Sequence, residues 1–78
     1  MIQVHIRLHG VLRDKLPVEA RGKTDLALPE SSTVQDLLEY FKVQNLVTVA
    51  VNDEVEIDAA HRLNDGDRVE MFRVGGGG

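Results

Sequence analysis

The chain has 78 residues and a mass of 8.7 kDa, which leaves room for one small domain with a thin hydrophobic core and no deep catalytic cleft. Its 9 basic and 13 acidic residues give a net charge of -4, whereas a nucleic-acid-binding protein would carry a basic excess on one face. The absence of cysteine excludes disulfides, thiolate metal sites and cysteine nucleophiles. The longest uncharged apolar stretch, residues 46–51, is far shorter than the ~20 residues that span a bilayer. We therefore expect a cytoplasmic protein with no nucleic-acid or membrane partner.

The first part of the chain predicts a β-hairpin. Apolar residues alternate with polar ones over the first segment, at Ile2, Val4, Ile6 and Leu8, which is typical of a strand with one buried face. Residues 11–18 mix apolar and charged side chains around Pro17, which indicates a loop or a single helical turn. A turn signal at residues 21–23 is followed by alternation around Leu26 and Leu28, which predicts a second strand pairing with the first.

The clearest helix begins after residue 33. One apolar stripe at helical spacing consists of Val34, Leu37, Leu38 and Phe41. Thr33 with Asp36, or Ser32 with Gln35, supplies a capping pair at its start. These signals together predict an amphipathic helix that covers a sheet.

Three further segments complete the fold. Alternating β-branched residues at Val47, Val49 and Val51 predict a third strand, and after a turn at residues 52–54 we expect a short edge strand at Val55 and Ile57. A second turn at residues 64–67, with its glycine at positive φ, leads to a last strand over residues 69–74.

The order of elements predicts the architecture. One helix laid on the apolar face of a mixed sheet of four to five strands gives an α+β fold. The first and last strands should pair in parallel near the centre of the sheet, because the intervening helix provides the crossover. This is the β-grasp, or ubiquitin-like, arrangement, with a domain over residues 1–74 and a flexible tail over residues 75–78.

The tail consists of glycine alone, at Gly75, Gly76, Gly77 and Gly78. Glycine loses the most backbone entropy on ordering and has no side chain to bury, so we expect the tail to be mobile in the free protein. One interpretation is a frayed end or the remnant of a linker. The other is a tail that enters a narrow channel of a partner, where a Cβ would clash. Such a tail carries one reactive group, the α-carboxylate of Gly78.

An aromatic residue near the tail is a candidate anchor for such a partner. Val69 and Met71 share one face of the last strand, and Phe72 lies on the other. If the first two join the core, Phe72 is exposed on the open side of the sheet, where an aromatic side chain binds partners well. The alternative is that Phe72 packs under the loop at residues 10–17. The predicted partner-binding segment is Phe72, Val74, Gly75, Gly76 and Gly77.

Several short motifs resemble those of one family. They are the Val51-Asn52 step, the LNDGDRV run at residues 63–69 and the Gly77-Gly78 end. On the predicted fold they resemble the MoaD/ThiS family, which comprises the small subunit of molybdopterin synthase and the sulfur carrier of thiamine synthesis. The resemblance covers nearly the whole chain.

The resemblance implies a carrier rather than a catalyst. In that family an E1-like partner uses ATP to adenylate the terminal carboxylate, here that of Gly78, and sulfur then displaces AMP to leave a thiocarboxylate. The thiocarboxylate donates sulfur to a biosynthetic enzyme, and the carrier itself binds no cofactor and is monomeric when free. An alternative is a ubiquitin-like modifier that is joined to a lysine through Gly78, and a third is a plain interaction domain.

Two departures leave the subfamily open. Molybdopterin-type members carry a proline pair where Arg73-Val74 stands in this chain. Thiamine carriers usually lack much of the stretch at residues 11–23. The resemblance therefore does not choose between the two pathways.

Other polar residues favour no metal or catalytic site. His5 and His9 lie roughly 13 Å apart along one strand face, too far to share a metal, and His61 has no histidine near it in the sequence. Asp65 and Asp67 flank a glycine and are typical turn residues. A basic cluster is interpreted as a solvated loop edge or, alternatively, as a surface for an acidic partner: Arg13, Lys15, Arg21 and Lys23.

Overall fold

Four strands and one main helix form the part of the chain that the computed structural model describes, which is residues 1–43, 47–55 and 57–73. The strands are β1 (Ile2–Leu8), β2 (Lys23–Leu28), β3 (Val47–Val51) and β4 (Arg68–Arg73), and the helix is α1 (Val34–Phe41). Two short 3-10 helices, Gly10–Lys15 and Val18–Ala20, join β1 to β2, where the sequence predicts a loop or helical turn. The predicted end of the last strand at Val74 and the predicted tail at residues 75–78 lie outside the described residues.

The four strands form one mixed sheet in the order β2-β1-β4-β3. β1 pairs with β2 in antiparallel register, and β4 pairs with β3 in the same way. The two central strands run parallel, with His5 beside Arg68 and Leu8 beside Met71. This arrangement confirms the predicted hairpin, the predicted central parallel pair and the α+β, β-grasp architecture.

The core lies between one face of the sheet and α1. Burial alternates with every residue along β1, as its sequence predicts, and the four apolar residues of the helical stripe are all buried. The core residues contributed by the sheet, the helix and the connecting segments include Val4, Ile6, Leu37, Phe41, Leu63, Val69 and Met71. A thin core of this kind uses nearly every apolar side chain that the two periodicities place inward.

The predicted capping pair at the start of α1 is Thr33 with Asp36. The Asp36 carboxylate accepts the Thr33 backbone N–H at 2.9 Å, which satisfies a donor that the helix itself leaves unpaired. The alternative pair is wrong, because the Ser32 hydroxyl donates to the Pro29 carbonyl at 2.6 Å. Gln35 instead donates its side-chain amide to Glu39 one turn later.

The segment after β3 differs from its prediction. Asn52 and Asp53 both take positive φ, and the backbone of Val51 exchanges hydrogen bonds with that of Glu54 across this tight turn. Among the described residues no fifth strand follows: Val55 is 64% exposed, and pairing with β3 continues only through the Ile57 N–H, which donates to Val49 at 2.9 Å. The predicted edge strand is therefore wrong for the residues described, and residue 56 lies outside them.

Candidate functional site

Phe72 lies on the face of β4 that the sequence predicts, but it is not freely exposed. Val69 and Met71 are fully buried, whereas Phe72 points to the open side of the sheet and is half-buried. Its ring stacks on that of His9, with the two ring centroids 4.3 Å apart and the planes inclined by 10°. The ring is thus less exposed than the sequence predicts, because its stacked neighbour covers part of it.

The parallel pairing of β1 with β4 brings His9 to this position. The backbone N–H of His9 donates to the Met71 carbonyl at 3.1 Å, one residue beyond the paired end of β1. The imidazole Nε2 lies 2.9 Å from the Glu70 carboxylate, so the ring is held by Phe72 and Glu70 together. The alternative, in which Phe72 packs under residues 10–17, places the ring near its observed position, since His9 directly precedes that segment.

The stack of His9 on Phe72 was not predicted from the sequence, in which His9 is considered only as a metal ligand and discounted. Among the described residues there is no group of three or more His, Asp or Glu side chains that could hold a metal ion. The predicted parallel pairing of β1 with β4 is the feature from which the contact between His9 and Phe72 could have been predicted. Parallel strands end at the same edge, so the residue after β1 must lie beside the end of β4.

Polar side chains cover much of the rest of the open face. His5 contacts Asp25 at 2.7 Å across β1 and β2, and Arg68 contacts Asp53 at 3.2 Å. A hollow of about 370 Å³ lies over these residues. The other aromatic side chains of the chain, Tyr40 and Phe41, are on α1, so Phe72 is the aromatic residue of the sheet.

The two internal motifs of the family resemblance are hydrogen-bonded to each other. The Asn52 side chain donates to Asp67 at 3.0 Å and accepts the Arg68 backbone N–H at 2.9 Å. Asp67 is buried, and its second carboxylate oxygen accepts the Asn64 N–H at 2.8 Å. Gly66 takes the predicted positive φ, and its N–H donates to Gln3 of β1 at 2.7 Å. These contacts fix the turn before β4, so the motifs are structural.

We expect Asp67→Ala to lower the free energy of unfolding by about 1–2 kcal/mol. The substitution leaves the Asn64 N–H and the Asn52 amide without their acceptor, and the cost is moderate because both asparagines are exposed and can reach water. Asp65→Ala is the matched control, since exposed Asp65 accepts one backbone bond, from Gln3 at 2.8 Å. Urea unfolding of both variants measures the difference. Equal losses would contradict the role given to Asp67.

The reactive group predicted from the sequence lies beyond the described part of the chain. β4 ends at Arg73, and Val74, Gly75, Gly76, Gly77 and Gly78 lie outside the described residues. Phe72, the predicted anchor, and the parallel pair β1–β4 therefore form the described part of the candidate site. Within the described residues no helix has the length and apolar character needed to cross a membrane.

The family of the chain follows from its match to a known family model. The family model described as "ThiS family" matches residues 6–78 of the chain. The chain belongs to the ThiS family. The match confirms the resemblance seen in the sequence motifs and spans the glycine residues at positions 75–78.

Solved structures similar to this ThiS-family protein include three kinds of small protein. A Pyrococcus furiosus protein assigned as molybdopterin converting factor subunit 1 is 23% identical, with a TM-score of 0.75 over 94% of this chain and 98% of that one. Small archaeal modifier protein 1 of Haloferax volcanii is 15% identical, with a TM-score of 0.74 over 94% and 98%. The thiamine biosynthesis protein ThiS of Geobacter metallireducens is 29% identical, with a TM-score of 0.56 over 95% and 99%.

These likenesses establish the fold without choosing a pathway. The first two structures are too distant in sequence to carry more than the fold, and the names of the three point to molybdopterin, protein modification and thiamine in turn. No curated protein sequence matches this ThiS-family chain significantly. The chain is thus a member of a family of small carrier proteins.

Proposed function

We propose that this ThiS-family protein is a sulfur carrier whose reactive group is the α-carboxylate of Gly78. An E1-like enzyme joins this carboxylate to the AMP part of ATP and releases pyrophosphate. A hydrosulfide equivalent then attacks the carbonyl carbon and expels AMP, which leaves a thiocarboxylate. The thiocarboxylate donates its sulfur to a biosynthetic enzyme, in molybdopterin, thiamine or related synthesis.

The observation that carries this proposal is a family match that continues to residue 78. An α-carboxylate with a pKa of about 3.5 is ionised at neutral pH and resists nucleophiles, so a partner has to activate it. The chain contains no cysteine, so its sulfur cargo is held on the carboxyl carbon rather than as a cysteine persulfide. ATP is used by the partner, and the carrier binds no cofactor of its own.

Docking combines the sheet surface with the glycines. Fixing four glycines in a channel costs on the order of 1–2 kcal/mol each, so the tail needs affinity from the folded domain. Phe72 supplies it: the stack on His9 holds the ring in one orientation before the partner arrives, which lowers the entropy lost on binding. Residues 74–77 then enter the channel of the activating enzyme. The free carrier is a monomer and forms heterocomplexes with the activating and the sulfur-receiving enzymes.

The experiment is an intact-mass measurement. The full chain is incubated with the E1-like enzyme of its source organism, ATP and sulfide, with ATP left out as the control. We expect an oxygen-to-sulfur mass increase located at Gly78. A chain that keeps its mass and forms no conjugate would overturn the proposal.

A second candidate is a ubiquitin-like modifier, which is favoured by the structural likeness to small archaeal modifier protein 1. The adenylate is shared by both functions, and they differ in the nucleophile that follows. A lysine amine attacking the Gly78 carbonyl expels AMP and leaves an isopeptide. In a cell lysate with ATP, conjugates of higher mass would support the modifier, and their absence together with thiocarboxylate formation would support the carrier.

A further inference from the structure

Basic side chains gather at the edge of the sheet where β1 and β4 both end. β2 runs antiparallel to β1, so its first residue, Lys23, lies directly opposite Arg7 at this edge. A hollow of about 280 Å³ is lined here by Arg7, His9, Arg13, Arg21 and Lys23, and these five residues are called the basic hollow. Lys15, which the sequence places in the same cluster, does not line it. The fold thus replaces Lys15 with Arg7 and His9.

The Arg and Lys side chains of the basic hollow form no ion pair among the described residues, although Glu70, which contacts His9, lies beside Arg7 across β1 and β4. Within the described part of the chain, no carboxylate lines the hollow itself. Arg7 and Lys23 oppose each other across an antiparallel pair, and like charges in that position destabilise a sheet. The chain carries 13 acidic residues and a net charge of -4, so the positive charge at this edge is opposite in sign to the net charge of the protein.

The backbone also places strain at the hollow. Arg21 has a φ of 55° and a ψ of 37°, a left-handed conformation that is unfavourable for any residue with a Cβ. The next residue, Gly22, lies under Arg13: a Cβ on Gly22 would come within 2.9 Å of the Arg13 Cγ and 2.6 Å of the Leu8 carbonyl oxygen. The bare glycine therefore lets the Arg13 stem pack against the turn. Both arginines are held by the turn that separates the second 3-10 helix from β2.

We infer that the basic hollow docks a carboxylate-rich surface of the protein that activates the Gly78 carboxylate, an inference that rests on the proposed function. His9 belongs to the hollow and also stacks on Phe72, so a protein seated on Phe72 covers the hollow too. Covering unpaired cations costs desolvation energy unless carboxylates meet them. A protein surface is favoured over nucleic acid, because phosphates arriving at the hollow would meet a chain of net charge -4.

The test compares single charge removals at two positions with the same backbone. Arg21→Asn removes a cation of the hollow, and Lys42→Asn removes an exposed cation that does not line it; Lys42 takes a φ of 58°, close to that of Arg21. Asparagine tolerates this conformation, so both variants keep the fold, which thermal unfolding verifies. Adenylation by the E1-like enzyme is measured with each variant between low and high salt.

We expect Arg21→Asn to raise KM about 2- to 5-fold at low salt with kcat unchanged, and to weaken the salt dependence. The triple variant Arg7→Gln, Arg21→Asn, Lys23→Gln should lose about 10-fold or more in kcat/KM. Lys42→Asn should match the unaltered chain. Variants of the hollow that behave like Lys42→Asn would overturn this inference and leave the proposed function intact. The same holds if these cations bind a mixed-sequence DNA duplex more tightly than they bind the activating enzyme. An unaltered chain that is never adenylated would overturn the proposed function as well.

Discussion

Removing Gly78, or converting its carboxylate to an amide, is expected to abolish adenylation. Deletion draws the carboxylate back by about 3.5 Å, and a reacting atom must lie within about 3–3.5 Å of its target for the reaction to proceed. The amide keeps the length of the chain and removes the nucleophilic oxygen. The core of the described residues lies between positions 2 and 71, and glycine has no side chain to bury, so neither change should move the midpoint of thermal unfolding.

The two variants separate the length of the tail from the chemical identity of its terminal group. Acyl-adenylate formation is followed by mass spectrometry of the complex with the E1-like enzyme. Loss with the amide alone would mean that the channel tolerates a shorter tail, and loss with both is the predicted result. An amidated chain that is adenylated as fast as the free acid contradicts the role given to Gly78. A marked fall in thermal stability would instead place the terminal residue in the fold.

Phe72→Ala is expected to weaken binding to the activating enzyme by about 1–3 kcal/mol, which is roughly 5- to 150-fold in Kd. An aromatic ring fixed beside the docking edge can bury a large apolar area at a low entropy cost. The loss of folding stability should stay near 1 kcal/mol, because the ring is half-buried and its stacking contact with His9 is of that order.

Tyr40→Ala provides the matched control for this substitution. Tyr40 is also an aromatic residue with an aromatic neighbour, Phe41, at 4.9 Å, but it is 60% exposed on the helix. Titration calorimetry with the activating enzyme should show a loss for Phe72→Ala and none for Tyr40→Ala. Equal affinities of the two variants for the activating enzyme would show that Phe72 is not an anchor. A Phe72→Ala protein that unfolds at much lower denaturant would show that the ring belongs to the core.

Local periodicity was sufficient to predict most of the fold. The apolar residues of the alternation along β1 and of the stripe on α1 are all buried in the structure. Each of these patterns depends only on residues that are close together in the sequence, so it can be read without knowledge of the rest of the fold. The hairpin and the central parallel pair follow from the order of these elements. The edge strand predicted at Val55 and Ile57 does not form among the described residues, where Val55 is exposed and the Ile57 N–H alone continues the pairing with β3.

The site depends more on contacts between distant segments. The half-burial of Phe72 follows from its stack on His9, which lies 63 positions earlier in the chain (72 − 9), and no local pattern contains that contact. The hydrogen bond from the Asn52 side chain to Asp67 gives the family motifs a structural role that their sequence alone does not reveal. In the basic hollow, Arg7 replaces Lys15 because the β1–β2 register, rather than proximity in sequence, selects the cations.

Pyrophosphate exchange isolates the activation of the Gly78 carboxylate, because it reports formation of the acyl-adenylate and nothing later. The E1-like enzyme is supplied with ATP, labelled pyrophosphate and either the chain with a free Gly78 carboxylate or its C-terminal amide. We expect labelled ATP to form when the chain has a free Gly78 carboxylate and not when it carries the amide. Equal exchange with both forms, or no exchange with the free acid, would contradict the proposed activation of this carboxylate.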